Sequence, residues 1–265
     1  MTDEERGAHH VQSLERGLAV IKAFHAQAPE LTLSDVARST GLTRAAARRF
    51  LLTLVDLGYV RTDGKYFSLT ARVLDLGYSY LSSFSLPEVA QPHLERLSAE
   101  VRESSSVSVL EGTDIVYVAR VAVSRIMTVS INVGTRFPAY ATSMGHVLLA
   151  GLPEDEVSAY LGAARLDRLT LHTLTSPEAV RAELAKVSRQ GWAMVDQELE
   201  EGLRSVAAPI RDRRGVVIAA VNLSTHASRT TSESVREDLV PPLLATARSI
   251  EADLALAPPV GARRG

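Results

Sequence analysis

Apolar residues recur at a helical period along the first seventy positions. Leu14, Leu18, Ile21 and Phe24 form one stripe, which Pro29 closes. Leu33, Val36 and Ala37 form a second, and Gly41-Leu42 interrupts it. A third helix then carries Ala47, Phe50, Leu51, Leu54 and Leu57 on one side. Thr43 stands where its hydroxyl accepts an orphan backbone N–H of that helix. The period then changes. Tyr59-Val60-Arg61-Thr62 and Tyr66-Phe67-Ser68-Leu69 are β-rich runs around Asp63-Gly64, a dipeptide suited to a tight hairpin turn. Helix, Gly-containing turn, helix and hairpin in this order predict a winged helix-turn-helix, the arrangement that lays its second helix in the major groove of DNA.

Beyond it, Arg72 to Phe84 predicts a linker helix, and Ser85-Leu86-Pro87-Glu88 opens another that runs to about residue 103. Strands are predicted at Ser106–Leu110, Ile115–Val121, Ile126–Val133, Trp192–Val195, Ser205–Ile210 and Val216–Ser224. Helices are predicted at Ser143–Leu149, Glu154–Leu161, from Ser176-Pro177-Glu178 to Arg189, and Ser232–Ala255, the last kinked at Pro241-Pro242. Hairpins mixed with helices imply an α+β domain around an antiparallel sheet. The division is residues 1–71 for the DNA-binding domain, 72–85 for the linker, 86–257 for the second domain and 258–265 for a tail.

Charge sharpens the first module. The 265 residues hold 29 Lys+Arg and 31 Asp+Glu, for a net charge of −2. Thr32 to Arg72 carries seven basic and three acidic residues, a net +4 that leaves −6 for the rest. A basic island in an acidic chain marks a local nucleic-acid surface. Ser34, Thr43, Arg44, Ala45, Arg48, Arg49 and Lys65 are the candidate contacts, with the guanidinium groups suited to phosphates or guanine edges. Hydrophobic residues make up 46% and charged residues 23%, ordinary for a globular protein. The absence of cysteine excludes disulfides, zinc–thiolate sites and a thiol nucleophile, and agrees with a cytoplasmic setting. No stretch reaches the ~18 apolar residues that a membrane span needs.

Candidate ligand chemistry lies in the second domain. Asn222 and Ser224 share a strand face with Ala220, and Ser205 opens a neighbouring strand. Asp196 and Glu198 precede a Glu-Glu-Gly loop, Glu200 to Gly202, that could close as a lid. Thr142 or Ser143 caps a helix whose first turn includes Met144 and Gly145, and free N–H groups at such a start receive carboxylates. If these features converge, the pocket holds a small organic acid, with its carboxylate at the helix start and apolar contact from Met127, Phe137 and Tyr140. Catalysis has little support. No GxSxG elbow surrounds Ser143, and the spacing of Ser205, His146 and Asp196 does not suggest a triad. No metal spacing and no cofactor-binding loop is present. The alternatives are a hydrolase acting on small aromatic esters or acids and a DNA-binding protein without a ligand.

The stretches Val11–Val20, Thr142–Ala150 and Gly202–Ile210, with the winged helix, resemble the IclR family of bacterial transcription regulators. The run Leu42–Leu54 is similar to the branch that controls protocatechuate and β-ketoadipate catabolism. The resemblance covers about residues 11–257. It implies a GAF-like effector domain, a homodimer or homotetramer, and an operator duplex as partner. It further implies a small aromatic or aliphatic acid as effector, contact with RNA polymerase, and a lean toward activation. Family pocket positions fall on Ser205, Asn222, Ser224 and Ser143 to Gly145, and Asp196 matches an acidic position. The ligands of the zinc that some members bind are not evident in this chain.

Overall fold

The computed structural model describes residues 10–25, 27–76, 86–123 and 131–256. The chain divides into two compact units, Met1–Ser82 and Ser83–Gly265.

In the first unit, α1 (Gln12–Lys22), α2 (Leu33–Thr40) and α3 (Arg44–Asp56) enclose a core of Val20, Phe24, Val36, Ala47, Leu51 and Leu54. Gly41 adopts φ +67°, the left-handed conformation that ends α2 without a Cβ penalty. Thr43 then caps α3 by accepting from Ala46 N–H at 3.2 Å. The start of α2 is tied by a capping box that its sequence did not single out. Thr32 Oγ accepts from Asp35 N–H, and the Asp35 carboxylate accepts from Thr32 N–H at 3.1 Å. The Thr32 hydroxyl, which donates to the carboxylate at 2.6 Å, and the Thr32 N–H hold the Asp35 carboxyl below its usual range.

The wing is a sheet of order β1-β3-β2, from Glu30–Thr32, Tyr66–Leu69 and Val60–Thr62. The hairpin was legible in the sequence, whereas the short β1 was not. At the tip, Asp63 accepts from the N–H groups of Lys65 and Tyr66 at 2.9 and 2.7 Å, with Gly64 at φ +97°. After the wing, a 3-10 turn at Ala71–Val73 passes into helix at residues 74–76. The rest of the predicted linker helix lies outside the described residues.

The second unit is a six-stranded antiparallel sheet of order β6-β5-β4-β9-β8-β7. Its strands are β4 (Ser104–Glu111), β5 (Asp114–Val121), β6 (Arg136–Pro138), β7 (Ala193–Asp196), β8 (Leu203–Arg211) and β9 (Val217–His226). Helices cover both faces. One face packs Val107, Val206, Val221 and Leu223 against α4 (Leu86–Val101) and α8 (Val240–Leu256). The other packs Ile115, Tyr117, Ala207 and Ala220 against α5 (Ser143–Ala150), α6 (Glu154–Ala163) and α7 (Pro177–Gln190). The strand expected at Ile126–Val133 is not formed over its described part, residues 131–133. The edge strand is Arg136–Pro138 instead, too short for an alternating pattern to reveal.

The kink expected at Pro241-Pro242 takes the form of a π-helical stretch, Val235–Leu239, just before α8. Two adjacent residues without an N–H break the regular ladder there, and the wider turn accommodates the loss. No helix among the described residues is long and apolar enough to cross a membrane.

Gly145 has a sharper steric role. A Cβ at this position would stand 2.0 Å from the Ala139 carbonyl oxygen. Gly145→Ala is therefore expected to destabilise the protein by about 2 kcal/mol or more, because backbone must shift to admit the methyl. Urea denaturation measures this, and an unchanged midpoint would contradict the packing described.

Candidate functional site

Helix α3 presents Arg44, Ala45, Arg48 and Arg49 to solvent, while Ala47, Leu51 and Leu54 hold its other side in the core. Thr43 is exposed at its start and Ser34 is half-buried on α2. Lys65 is exposed on the wing, its Nζ 4.9 Å from the centre of the Tyr66 ring. The arrangement can offer three guanidinium groups along one helix to a duplex, with an ammonium at the hairpin tip.

In the second unit, strand register decides which polar groups meet. Ser205 lies opposite Ser224, and Ser224 opposite Ser104; Ala207 lies opposite Asn222, and Asn222 opposite Ser106. Side chains alternate along each strand, so Ser205, Asn222, Ser224, Ser104 and Ser106 share one face. The start of α5 packs on that face. Ser143 and Ser205 share a hydroxyl hydrogen bond of 2.9 Å, and Ser108 Oγ donates to Met144 Sδ at 3.2 Å. Asn222 Nδ2 donates to Ser224 Oγ at 3.0 Å, and its buried Oδ1 has no partner. The recess between them is lined by Tyr117, Thr142, Ser143, Met144, Ser205, Asn222 and Ser224, together with Val195, Leu199 and Leu203. Its volume is about 10 Å3, room for about one water.

Five sequence candidates therefore converge: Ser143, Met144, Ser205, Asn222 and Ser224. The others fall elsewhere. Gly145 does not line the recess, because the close approach there is made by the chain's own Ala139. Its N–H is taken by Thr142 Oγ at 3.0 Å. Asp196 pairs opposite Arg204, one residue out of phase with Ser205, so it turns to the opposite sheet face. There its carboxylate accepts from Arg204 Nη2 at 2.8 Å, a structural ion pair. Tyr140 is buried and donates to the Asp167 carbonyl at 2.8 Å, and Phe137 meets Tyr117 edge-on at 6.0 Å. Met127 lies outside the described residues. Tyr117, Ala141, Val195, Leu199 and Leu203 were missed, having nothing to set them apart from core positions in the sequence.

His146 is fully buried beside the helix start. Its Nε2 donates to the Tyr140 carbonyl at 2.6 Å, and burial holds its basicity below the usual range. It bonds neither Ser143 nor Ser205, which bond each other. Among the described residues, no group of three or more His, Asp or Glu stands close enough to hold a metal.

The acidic loop is anchored rather than free. Thr170 Oγ1 donates to the Gln197 carbonyl at 2.6 Å and Thr173 Oγ1 to the Glu198 carbonyl at 2.7 Å. Gly202 N–H donates to Gln197 Oε1 at 3.0 Å. Glu198 is buried, and its Oε2 has no partner. Desolvation and the nearby Glu183 push its carboxyl up to about 8.

A winged helix with exposed arginines on α3 and a separate sheet domain with a buried polar recess define a ligand-responsive transcription regulator. Two family descriptions match the chain, the IclR helix-turn-helix domain over residues 13–64 and the bacterial transcriptional regulator IclR C-terminal domain over residues 78–252. The protein belongs to the IclR family of bacterial transcriptional regulators. It is 47% identical over 239 residues to the Pca regulon regulatory protein of Pseudomonas putida, covering 90% of this chain and 82% of that one. It is 35% identical to the p-hydroxybenzoate hydroxylase transcriptional activator of Acinetobacter baylyi, covering 94% of each. Among solved structures, an IclR homolog from Microbacterium hydrocarbonoxydans complexed with 4-hydroxybenzoate superposes with a TM-score of 0.82. It is 29% identical, and the match covers 92% of this chain and 100% of that one.

The Glu198 shift predicts a pH dependence. Its carboxyl lies near 8 in the folded protein and near 4.5 when free, so the native state holds the extra proton between those values. Stability from this group is full below about 4.5 and falls as pH rises through about 8. Glu198→Gln should flatten that decline and raise the melting temperature at pH 9. Equal melting curves for both proteins from pH 5 to pH 9 would contradict it.

Proposed function

We propose that this regulator controls genes for aromatic-acid catabolism of the protocatechuate and β-ketoadipate type, binding an operator duplex through α3 and a small carboxylic acid in the sheet-face recess. The convergence of Ser143, Ser205, Asn222 and Ser224, with an unpaired Asn222 Oδ1 among them, carries this reading. Buried polar atoms without partners are costly, and a ligand that satisfies them is held by the same groups. The names of the Pseudomonas and Acinetobacter relatives and the 4-hydroxybenzoate in the Microbacterium structure support the ligand class.

Arg44, Arg48 and Arg49 make phosphate and base contacts, Thr43, Ala45 and Ser34 fit the helix pair to the backbone, and Lys65 reaches a flanking phosphate from the wing. The protein acts as a homodimer or a pair of dimers. The exposed Leu14 and Leu18 of α1 support a second copy at the DNA-binding end. Entry of the acid requires the recess to widen beyond its present 10 Å3. That gives the ligand different affinities for two arrangements, the requirement for any effect on DNA binding or on contact with RNA polymerase.

Two outcomes are expected. Arg48→Ala with Arg49→Ala should weaken operator binding at least tenfold in a gel shift at moderate salt, and lower the salt slope by about 0.9 for each phosphate no longer neutralised. Unchanged binding would remove α3 from the groove. In thermal shift, protocatechuate, 4-hydroxybenzoate or β-ketoadipate at a hundred times its Kd should add about 2.7 kcal/mol. Asn222→Ala and Ser224→Ala should lose that shift while keeping the fold, and a ligand bound equally by the variants sits elsewhere.

A further inference from the structure

The polar row that includes Asn222 continues across β4 to an arginine on β5. Strand β5 contains a bulge: Val107 pairs with Ala119 but Ser108 pairs with Tyr117, leaving Val118 as the extra residue. Tyr117 and Arg120, three positions apart, thereby face the same side of the sheet. Register sets Arg120 opposite Ser106, and Ser106 opposite Asn222. Arg120 Nη1 donates to Ser106 Oγ at 3.0 Å.

Two atoms of this row are buried without a partner, Arg120 Nε and Asn222 Oδ1. Asn222 is only 3% exposed. Among the described residues, no carboxylate stands within ion-pair distance of Arg120. Burial lowers the basicity of its guanidinium. The same charge acts on the buried Tyr117 hydroxyl, which desolvation pushes up to about 12. A half-buried cation with an unused donor, on the same sheet face and the same strand as the recess-lining Tyr117, is an incomplete ion pair. A carboxylate supplies both the missing charge and the missing acceptor, and a guanidinium offers it a forked pair of donors.

Resting on the proposed role of the recess, we propose that Arg120 is the counter-ion for the effector's carboxylate and selects acids over neutral molecules of the same shape. Asn222 Oδ1, one strand further in than Ser106, is the acceptor for a ligand hydroxyl. The Ser143–Ser205 hydroxyl pair lies further along the same face. The ligand class is a small aromatic carboxylate bearing hydroxyl groups. Its orientation is the reverse of the one suggested by the helix start alone, with the acid end at β5.

The test is calorimetric titration of the full chain with protocatechuate and 4-hydroxybenzoate, each beside its uncharged amide. Wild type is expected to prefer acid over amide at least about tenfold, the range of a hydrogen bond to a charged group. Arg120→Gln should bring that ratio close to one while leaving amide affinity in place. Arg120→Lys, which keeps the charge but not the fork, should bind the acid more weakly than wild type and the amide equally; this variant decides the matter if the glutamine protein does not fold. An acid-to-amide ratio unchanged in Arg120→Gln, or acid affinity unchanged in Arg120→Lys, overturns the role of Arg120 and leaves the recess as the effector site. Failure of wild type to bind either acid ends both readings together.

Discussion

One face of the effector sheet buries polar atoms that the fold does not pair. The serines of β4, β8 and β9 and Asn222 lie where a sheet covered by helices on both sides ordinarily places apolar residues. Some of that polarity is satisfied internally, as in the Ser143–Ser205 and Asn222–Ser224 bonds. The orphaned Asn222 Oδ1 is not, and such an atom costs about 1–3 kcal/mol against a paired one. The rest of the domain is arranged around that exception. Gly145 lets the α5 segment lie on the Ala139 turn, Thr142 fixes where the helix begins, and Thr170 and Thr173 hold the loop that carries Leu199.

The DNA-binding unit follows a simpler logic. Its core is apolar and small, so its geometry rests on ends and turns. The Thr32–Asp35 box starts α2, Gly41 stops it, Thr43 starts α3, and Asp63 folds the wing tip. Each cap contributes about 1 kcal/mol, and together they fix the direction in which the α3 arginines project. Those arginines make no ion pair among the described residues, whereas Arg204, Arg136 and Arg229 of the other unit are matched by carboxylates. Cations left facing solvent on one helix are available to phosphate.

Legibility in the sequence followed the strength of the local signal. The winged helix could be read because helical period, glycine turn, cap and hairpin dipeptide all agreed. The sheet could be read where β-branched and other apolar residues run together between turn signals, as in β5 and β9. It failed at β6, whose three residues show no period, and at the start of β4, where Ser104-Ser105 lacks strand-forming side chains. That second failure includes Ser104, which lies on the face of the recess. Buried serines look like loop in a sequence, and only their register with β9 shows which of them share the face of the recess. Asp196 failed in the opposite sense: an acidic residue next to the right strand, but one position out of phase. Phase relative to a neighbouring strand is long-range information that no local pattern contains.

On the proposed function, acid and DNA act on one equilibrium through two separate sites. Linkage requires the effect to be reciprocal. The direct measurement is the affinity of protocatechuate for the full chain, by calorimetry, with and without a saturating operator duplex. The expected change is about fivefold or more, equal to the factor by which the acid changes the affinity for DNA. Identical acid affinity in the two titrations would contradict it.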